Sequence, residues 1–320
     1  MSGTARSMRA ACAPVIAETV RRCSDLITLG ADGQALFGTV IGESPERYVE
    51  VGIAESNLVG VAAGLARTGW RPVVGAMAPF LVRRAYEQLR LDVALPGLPV
   101  ALLGVGGGLG YGALGPTHHA VDDIALMSAL PHMGIYCPAD AADAAHVLRH
   151  FLPPTRPAYV RLSARVDPPV FRPDGTADPG DPHEARVLRG GADALLLATG
   201  RCVAEASAAA ERCAAHGLDV AVAAVTCLRP FPTDQVRALG ENRPLVVTAA
   251  EELGHCGLGA AVAEALRGSG TPLLRLAVDD RHPPVGEHDE LLAFHGVDRT
   301  AIASAVVRAL IGKGDHEDSR

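Results

Sequence analysis

Lysine is nearly absent: Lys313 is the only one in 320 residues. Basic charge therefore falls to arginine. No Lys/Arg cluster appears and the formal net charge is −7, which argues against a nucleic-acid-binding surface. No apolar run approaches the roughly 18–20 residues that span a bilayer, so no membrane association is expected. The opening stretch MSGTARSMRAACAPVIAETVRR lacks the unbroken apolar segment of a signal peptide. The seven cysteines (Cys12, Cys23, Cys137, Cys202, Cys213, Cys227 and Cys256) form no C-x-x-C and no pair with metal-site spacing. Such scattered thiols fit a reducing, cytoplasmic location, and no metal ligand is assigned from the sequence. Aromatics are scarce, at 4%, so Ala, Gly, Val and Leu must build the core. That composition suits helices packed closely on sheets.

What is present reads as a folded chain, 48% apolar and 20% charged, long enough for one large domain or two ordinary ones. Helices are expected over 13–23, 83–95, 121–130 and 140–152. Strands are expected over 48–53, 71–77, 98–105, 133–137 and 158–163. The continuous apolar run LPVALLGV reads as a buried parallel strand. Residues 166–186, rich in Pro, Gly and Asp, read as a linker. Beyond it the alternation restarts, with strands over 194–200, 218–225, 244–249 and 273–278 and helices over 202–216, 259–267 and 298–311. The expected organisation is an α/β domain over 1–165, a linker over 166–186 and a smaller α/β domain over 187–320, each with a parallel sheet flanked by helices.

Five stretches stand out. In VEVGIAESNLVGVAAGLARTG (49–69) a carboxylate, Glu55, sits among small apolar residues that read as a tight helix. A lone helical Glu is ordinarily solvated, because a buried one needs a partner; a cofactor ring nitrogen is such a partner. Gly110-Tyr111-Gly112-Ala113-Leu114-Gly115 fits G-x-G-x-x-G, but Pro116 and two histidines follow where a dinucleotide site needs a helix. The loop instead reads as a flexible segment passing close to a ligand. Thr117-His118-His119 cannot turn both rings to one face, so one histidine can line a site while the other points away. Phe80 and Tyr86, beside Arg83 and Arg84, place two rings just after a strand end, either as an ordinary helix start or as a stacking platform. EELGHCGLGAAV (251–262) reads as a strand-to-helix loop, and His255 is left outside the catalytic candidates.

The ordered set G-I-x-E-S-N, A-x-x-P-F-L-x-R-R-A-Y-E-Q, a glycine loop ending G-P-T-H, and a P-A-D helix start resembles the pyrimidine-binding domain of the transketolase family. The residues after the linker look like that family's C-terminal domain. The resemblance covers about residues 10–312. It implies a thiamine-diphosphate enzyme. Glu55 then matches the glutamate that bonds the pyrimidine N1′ and promotes the cofactor's own deprotonation. Phe80 matches the ring stacked on the pyrimidine, Tyr86 a further pocket aromatic, and His118 the histidine that handles substrate hydroxyls. Substrate-binding candidates are Arg83, Arg84, His118, His119 and Arg165.

The family's G-D-G…N motif for Mg²⁺ and diphosphate is not found in this sequence. The resemblance therefore implies the C-terminal subunit of a split enzyme, with an N-terminal subunit holding Mg²⁺ and diphosphate in an α2β2 heterotetramer. The implied reaction moves a two-carbon ketol unit from a ketose to an aldehyde. Leu114, Gly106 and Ala164 stand where sugar-phosphate transketolases carry Asp, His and a phosphate-binding Arg, although Arg161 and Arg165 are near. These departures leave the standard sugar-phosphate substrates open. The alternatives are the β subunit of a 2-oxoacid decarboxylase or dehydrogenase, a 1-deoxyxylulose-phosphate-synthase-like enzyme, and a non-catalytic pairing subunit.

Overall fold

A computed structural model describes residues 6–171, 180–279 and 283–312. Part of the expected linker, 172–179, lies outside them, as do the two ends and 280–282. Among the described residues twelve strands make two sheets. They are β1 (Leu26–Gly30), β2 (Tyr48–Glu50), β3 (Arg71–Met77), β4 (Ala101–Val105), β5 (Gly134–Tyr136), β6 (Ala158–Leu162), β7 (Ala185–Arg189), β8 (Ala194–Ala198), β9 (Val220–Val225), β10 (Cys227–Arg229), β11 (Val246–Leu253) and β12 (Leu273–Val278). The first sheet runs β10-β5-β6-β4-β3-β1-β2 and the second β12-β11-β8-β9-β7. Pairing is parallel except for β10 on β5 and β7 on β9.

The interior parallel strands are short, apolar and covered on both faces, whereas the edge strands β2 and β12 are only partly buried. β1, β4, β6 and β8 are buried along their whole length, as expected where crossover helices cover a sheet. The helix Glu55–Arg67 packs by small side chains, burying Leu58, Val59, Ala62, Ala63 and Ala66 at the helical period. Asp140 caps the helix Ala141–Phe151 by accepting from Asp143 N at 2.9 Å. Its other oxygen accepts from Val170 N and Phe171 N at 2.6 and 2.7 Å, which anchors the start of the connection to the second sheet.

Several expectations are corrected. Glu55 is the first residue of its helix rather than an interior one. A carboxylate there faces the unpaired N–H groups of the first turn, a favourable place for negative charge. The helix expected over 83–95 is three pieces: Ala78–Arg84, a turn at Tyr86–Gln88, and a π-helical Leu89–Ala94. Ala85 leaves helical geometry, and the carbonyl of Arg84 accepts from Ser56 Oγ at 2.9 Å, one tertiary contact at the break. Strand β1 and the helix Gln34–Glu43 lie in a stretch where no element is expected from the pattern. The second half adds β7, β10 and the helices Thr233–Gly240 and His288–Phe294. β10 leaves the second sheet's region to become an edge of the first, so the two halves share a sheet edge.

Candidate functional site

The C-terminal ends of parallel strands are where α/β sheets gather ligand sites, and the candidate residues collect there. β2 leads to Glu55, β3 runs straight into the helix bearing Phe80, and β4 opens the glycine loop that returns at His118.

Glu55 is buried, with 3% of its side chain exposed, and Oε2 accepts from Arg84 Nη1 at 2.6 Å. Arg84 is half exposed, and its guanidinium lies 4.7 Å from the Phe80 ring centre. His118 meets Phe80 edge-on, with ring centres 5.1 Å apart and planes at 77°. The structure thus links Glu55, Arg84, Phe80 and His118 through successive contacts. Tyr86 braces the neighbouring turn, its hydroxyl donating to Leu126 O at 3.0 Å.

The other candidates have definite partners. Arg83 makes a bidentate pair with Asp122, at 2.9 and 2.6 Å. Arg165 pairs with Glu287 at 2.6 Å on an exposed face. His119 is buried, with Nε2 3.3 Å from Gly112 O. The vicinal histidines therefore diverge, His119 inward and His118 toward Phe80. Thr117 Oγ1 lies 2.9 Å from His118 Nδ1, which leaves Nε2 as the atom presented to a ligand.

The glycine loop is closed by a two-residue bridge: Gly108 N donates to Ala120 O and Ala120 N to Gly108 O, at 3.0 and 2.8 Å. Gly108 has φ +62°, and a Cβ there would fall 2.3 Å from Glu251 Oε2. Only glycine lets the loop lie this close to the second half of the chain.

Beneath the loop is a buried ionic network that sequence reasoning missed. Arg161 Nε lies 3.1 Å from Asp123 Oδ2 and Nη1 lies 3.5 Å from Glu252 Oε2. Arg161 Nη2 donates to Ala120 O at 3.0 Å and to Glu251 O at 3.3 Å. Tyr159 donates its hydroxyl hydrogen to Asp123 Oδ2 at 2.7 Å, and His288 Nε2 lies 2.6 Å from Glu251 Oε1. Arg161 and Asp123 come from the first half, and Glu251, Glu252 and His288 from the second. The network therefore locks the halves together under the loop that carries His118. Arg161, near Ala164 in the sequence, is committed to this network rather than to the cleft. The available signal was Glu251-Glu252 directly after the apolar run VVTAA, with no turn residue between. Such carboxylates need buried partners.

The network has a pH signature. Burial opposes protonation of His288, but the adjacent Glu251 carboxylate outweighs it and raises the histidine pKa. Burial also opposes ionisation of Glu251; the charge and hydrogen bond of His288, with Arg161 and Arg201, prevail and hold it down to about 2. Burial pushes Glu252 up to about 7 against the pull of Arg161. The His288–Glu251 pair thus contributes stability that is complete below the ordinary histidine value of 6.5 and lost as pH rises through the raised one. Its acid limit comes from Glu251, whose contribution is lost as pH falls from 4.5 toward about 2. Glu252 binds its proton more tightly folded than unfolded, so its contribution also falls as pH rises from 4.5 to about 7. Calorimetric melting is expected to give a Tm that declines as pH rises from about 4.5 through about 7 and on through the raised histidine value. His288→Gln is expected to flatten that decline, and an unchanged slope in the variant would contradict the assignment.

Comparison with known proteins shows the family of the chain. Residues 4–166 match the family description "Transketolase, pyrimidine binding domain", and residues 183–302 match "Transketolase, C-terminal domain". One of the subunits of the apulose-4-phosphate transketolase of Phocaeicola vulgatus is 31% identical over 292 residues, 91% of this chain and 93% of that protein. The 6-deoxy-6-sulfo-D-fructose transketolase subunit SqwH of a Clostridium species is 36% identical over 268 residues, 83% of this chain and 81% of that protein. A solved structure described as a split-gene transketolase, inactive beta4 tetramer, superposes with a TM-score of 0.84 at 31% identity, covering 95% of this chain and 98% of that one. No helix among the described residues is long and apolar enough to cross a membrane.

Proposed function

The chain belongs to the transketolase family, and from that premise we propose that it is the C-terminal subunit of a split transferase. The enzyme moves a two-carbon ketol unit from a ketose to an aldehyde with thiamine diphosphate. The observation that carries the reading is a dry carboxylate, Glu55, linked through Arg84 to the ring of Phe80 and on to His118.

These residues fit the pyrimidine half of the cofactor. Glu55 offers a carboxyl shielded from water, and Phe80 a partly exposed ring. Thiamine diphosphate supplies a carbanion that breaks and remakes the carbon–carbon bond beside a carbonyl. Glu55 holds the proton shared with ring nitrogen N1′. Arg84 anchors Oε2, and Oε1 is the atom we assign to that nitrogen. Phe80 orients the ring by stacking, and Tyr86 fixes the turn that follows Phe80. His118 presents Nε2 to exchange protons with substrate hydroxyls, a role worth about 10²–10⁴-fold in rate.

We assign Mg²⁺ and the diphosphate to an N-terminal partner subunit in an α2β2 assembly. The relative from Phocaeicola vulgatus is itself named as a subunit of a transketolase, which supports this. For the substrate we propose that Arg83 and Arg165 bind it by turning from Asp122 and Glu287, that Arg84 adds charge beside Phe80, and that His119 backs the loop. The division of labour follows 1–165 for chemistry and 187–320 for assembly, joined by 166–186, and the protein works in the cytoplasm. The test is co-expression with the candidate partner and NMR of ketose–aldehyde mixtures. Two-carbon transfer is expected. Release of CO₂ from a 2-oxoacid without ketose cleavage would replace this reading with that of a dehydrogenase subunit.

A further inference from the structure

The helix Ala141–Phe151 carries His146 and His150 one turn apart, and the segment entering β7 comes to lie beside it. His146 Nε2 is 2.6 Å from Gly180 O. The rings of His150 and His183 lie 4.8 Å apart at 64°. His183 Nδ1 is 3.0 Å from Asp181 Oδ1, and Nε2 is 2.9 Å from the Tyr136 hydroxyl. One ligand atom from each of His150, Asp181 and His183 lies within 4.8 Å of the others, the group among the described residues whose geometry suits a metal ion.

We infer that His150, Asp181 and His183 form a binding site for a borderline divalent transition metal of the zinc type. Two imidazoles and one carboxylate are a ligand set such ions accept, with water as the fourth ligand. Ligand atoms sharing a tetrahedral ion at bonds near ~2.1 Å stand roughly 3.4 Å apart. The Asp181–His183 pair is already about that close. When the ion binds, Nδ1 exchanges its contact with the Asp181 carboxylate for a shared metal bond and Nε2–H donates to the Tyr136 hydroxyl, the outer-sphere arrangement usual for metal-bound histidine. His150 is exposed and borders a cavity of about 240 Å³, so its ring has room to close the remaining gap. Arg156 lines the same cavity and suits an anion in place of the water. The sequence conceals this site because Asp181 and His183 lie far beyond His150 along the chain, in the segment read as linker. A bound ion clips that segment to the first half of the chain. It sits at the helix that precedes β6, apart from Glu55, Phe80 and His118.

The experiment is titration of the full, untagged chain with Zn²⁺ by calorimetry, with Co²⁺ absorption reporting coordination. One-to-one binding with a tetrahedral Co²⁺ spectrum is expected, and a large excess of Mg²⁺ should not compete. His150→Ala, at an exposed position that leaves the fold intact, is expected to weaken Zn²⁺ binding by at least about tenfold. Asp181→Asn is expected to weaken it similarly. Absence of binding in the unmodified chain, or equal affinity in the parent and both variants, would overturn the inference.

Discussion

Glu55→Gln is expected to reduce turnover of the assembled enzyme by about 10³-fold, within the range that a positioned acid–base group supplies, while the protein remains folded. The amide keeps the shape of the side chain but cannot hold and release the shared proton. The structural cost is small for two reasons. Arg84 is half exposed, so its charge is met by water when Glu55 becomes an amide, and the neutral amide is less costly to bury than a carboxylate. The first-turn position contributes about 0.3–1 kcal/mol to the helix. Steady-state kinetics and melting curves of the same preparation separate the two effects. A turnover within about tenfold of the parent would remove Glu55 from the chemistry. A variant that loses activity only because it melts near the assay temperature would show a structural role instead.

The second large effect is expected from Arg161→Met. Arg161 is 5% exposed and faces Asp123 and Glu252, each at 1%. Removing the cation leaves two buried carboxylates without their counter-charge and takes one donor each from Ala120 O and Glu251 O. Breaking a buried pair this way costs about 3–5 kcal/mol, or of the order of 10 °C in Tm. The comparison is Arg165→Met, a few residues along. Its partner Glu287 is 61% exposed and it is 45% exposed itself, so a change of less than about 1 kcal/mol is expected. Similar losses in the two variants would mean that the network under the glycine loop does not hold the halves together. The loop should also loosen in Arg161→Met, because Ala120 O loses the donor beside the bridge that sets His118. A fall in activity at temperatures where the variant is still folded would report that directly.

The most legible parts of the sequence are those written in local pattern. β3 matches its expected span, 71–77, because RPVVGAM is largely apolar, follows the turn at Thr68-Gly69 and ends just before Pro79. Glu55, Phe80 and His118 stand out as separate motifs, and the fold brings Phe80 against His118 and Arg84 against both Glu55 and Phe80. β1 and the helix Gln34–Glu43 give little local signal; LITLG is short, and the helix carries Gly38 and Gly42, which weaken any helical pattern. β10 is three residues long and exists only because Tyr136 and Ile135 offer it an edge, so no local pattern announces it. The π-helical turn after Tyr86 is equally a tertiary outcome. The pairing of Glu55 with Arg84 and the network around Arg161 join residues that are 29 and up to 91 positions apart. Their charges are visible in the sequence; their burial is not.

The central claim is that this chain supplies the pyrimidine half of a thiamine-diphosphate site completed by another subunit. Calorimetry with thiamine diphosphate and Mg²⁺ tests it most directly, on this chain alone and on its complex with the candidate N-terminal subunit. Binding is predicted in the complex and not in the isolated chain, with Glu55→Gln weakening it in the complex. Tight binding by the isolated chain, or none in a complex shown to be assembled, would contradict it.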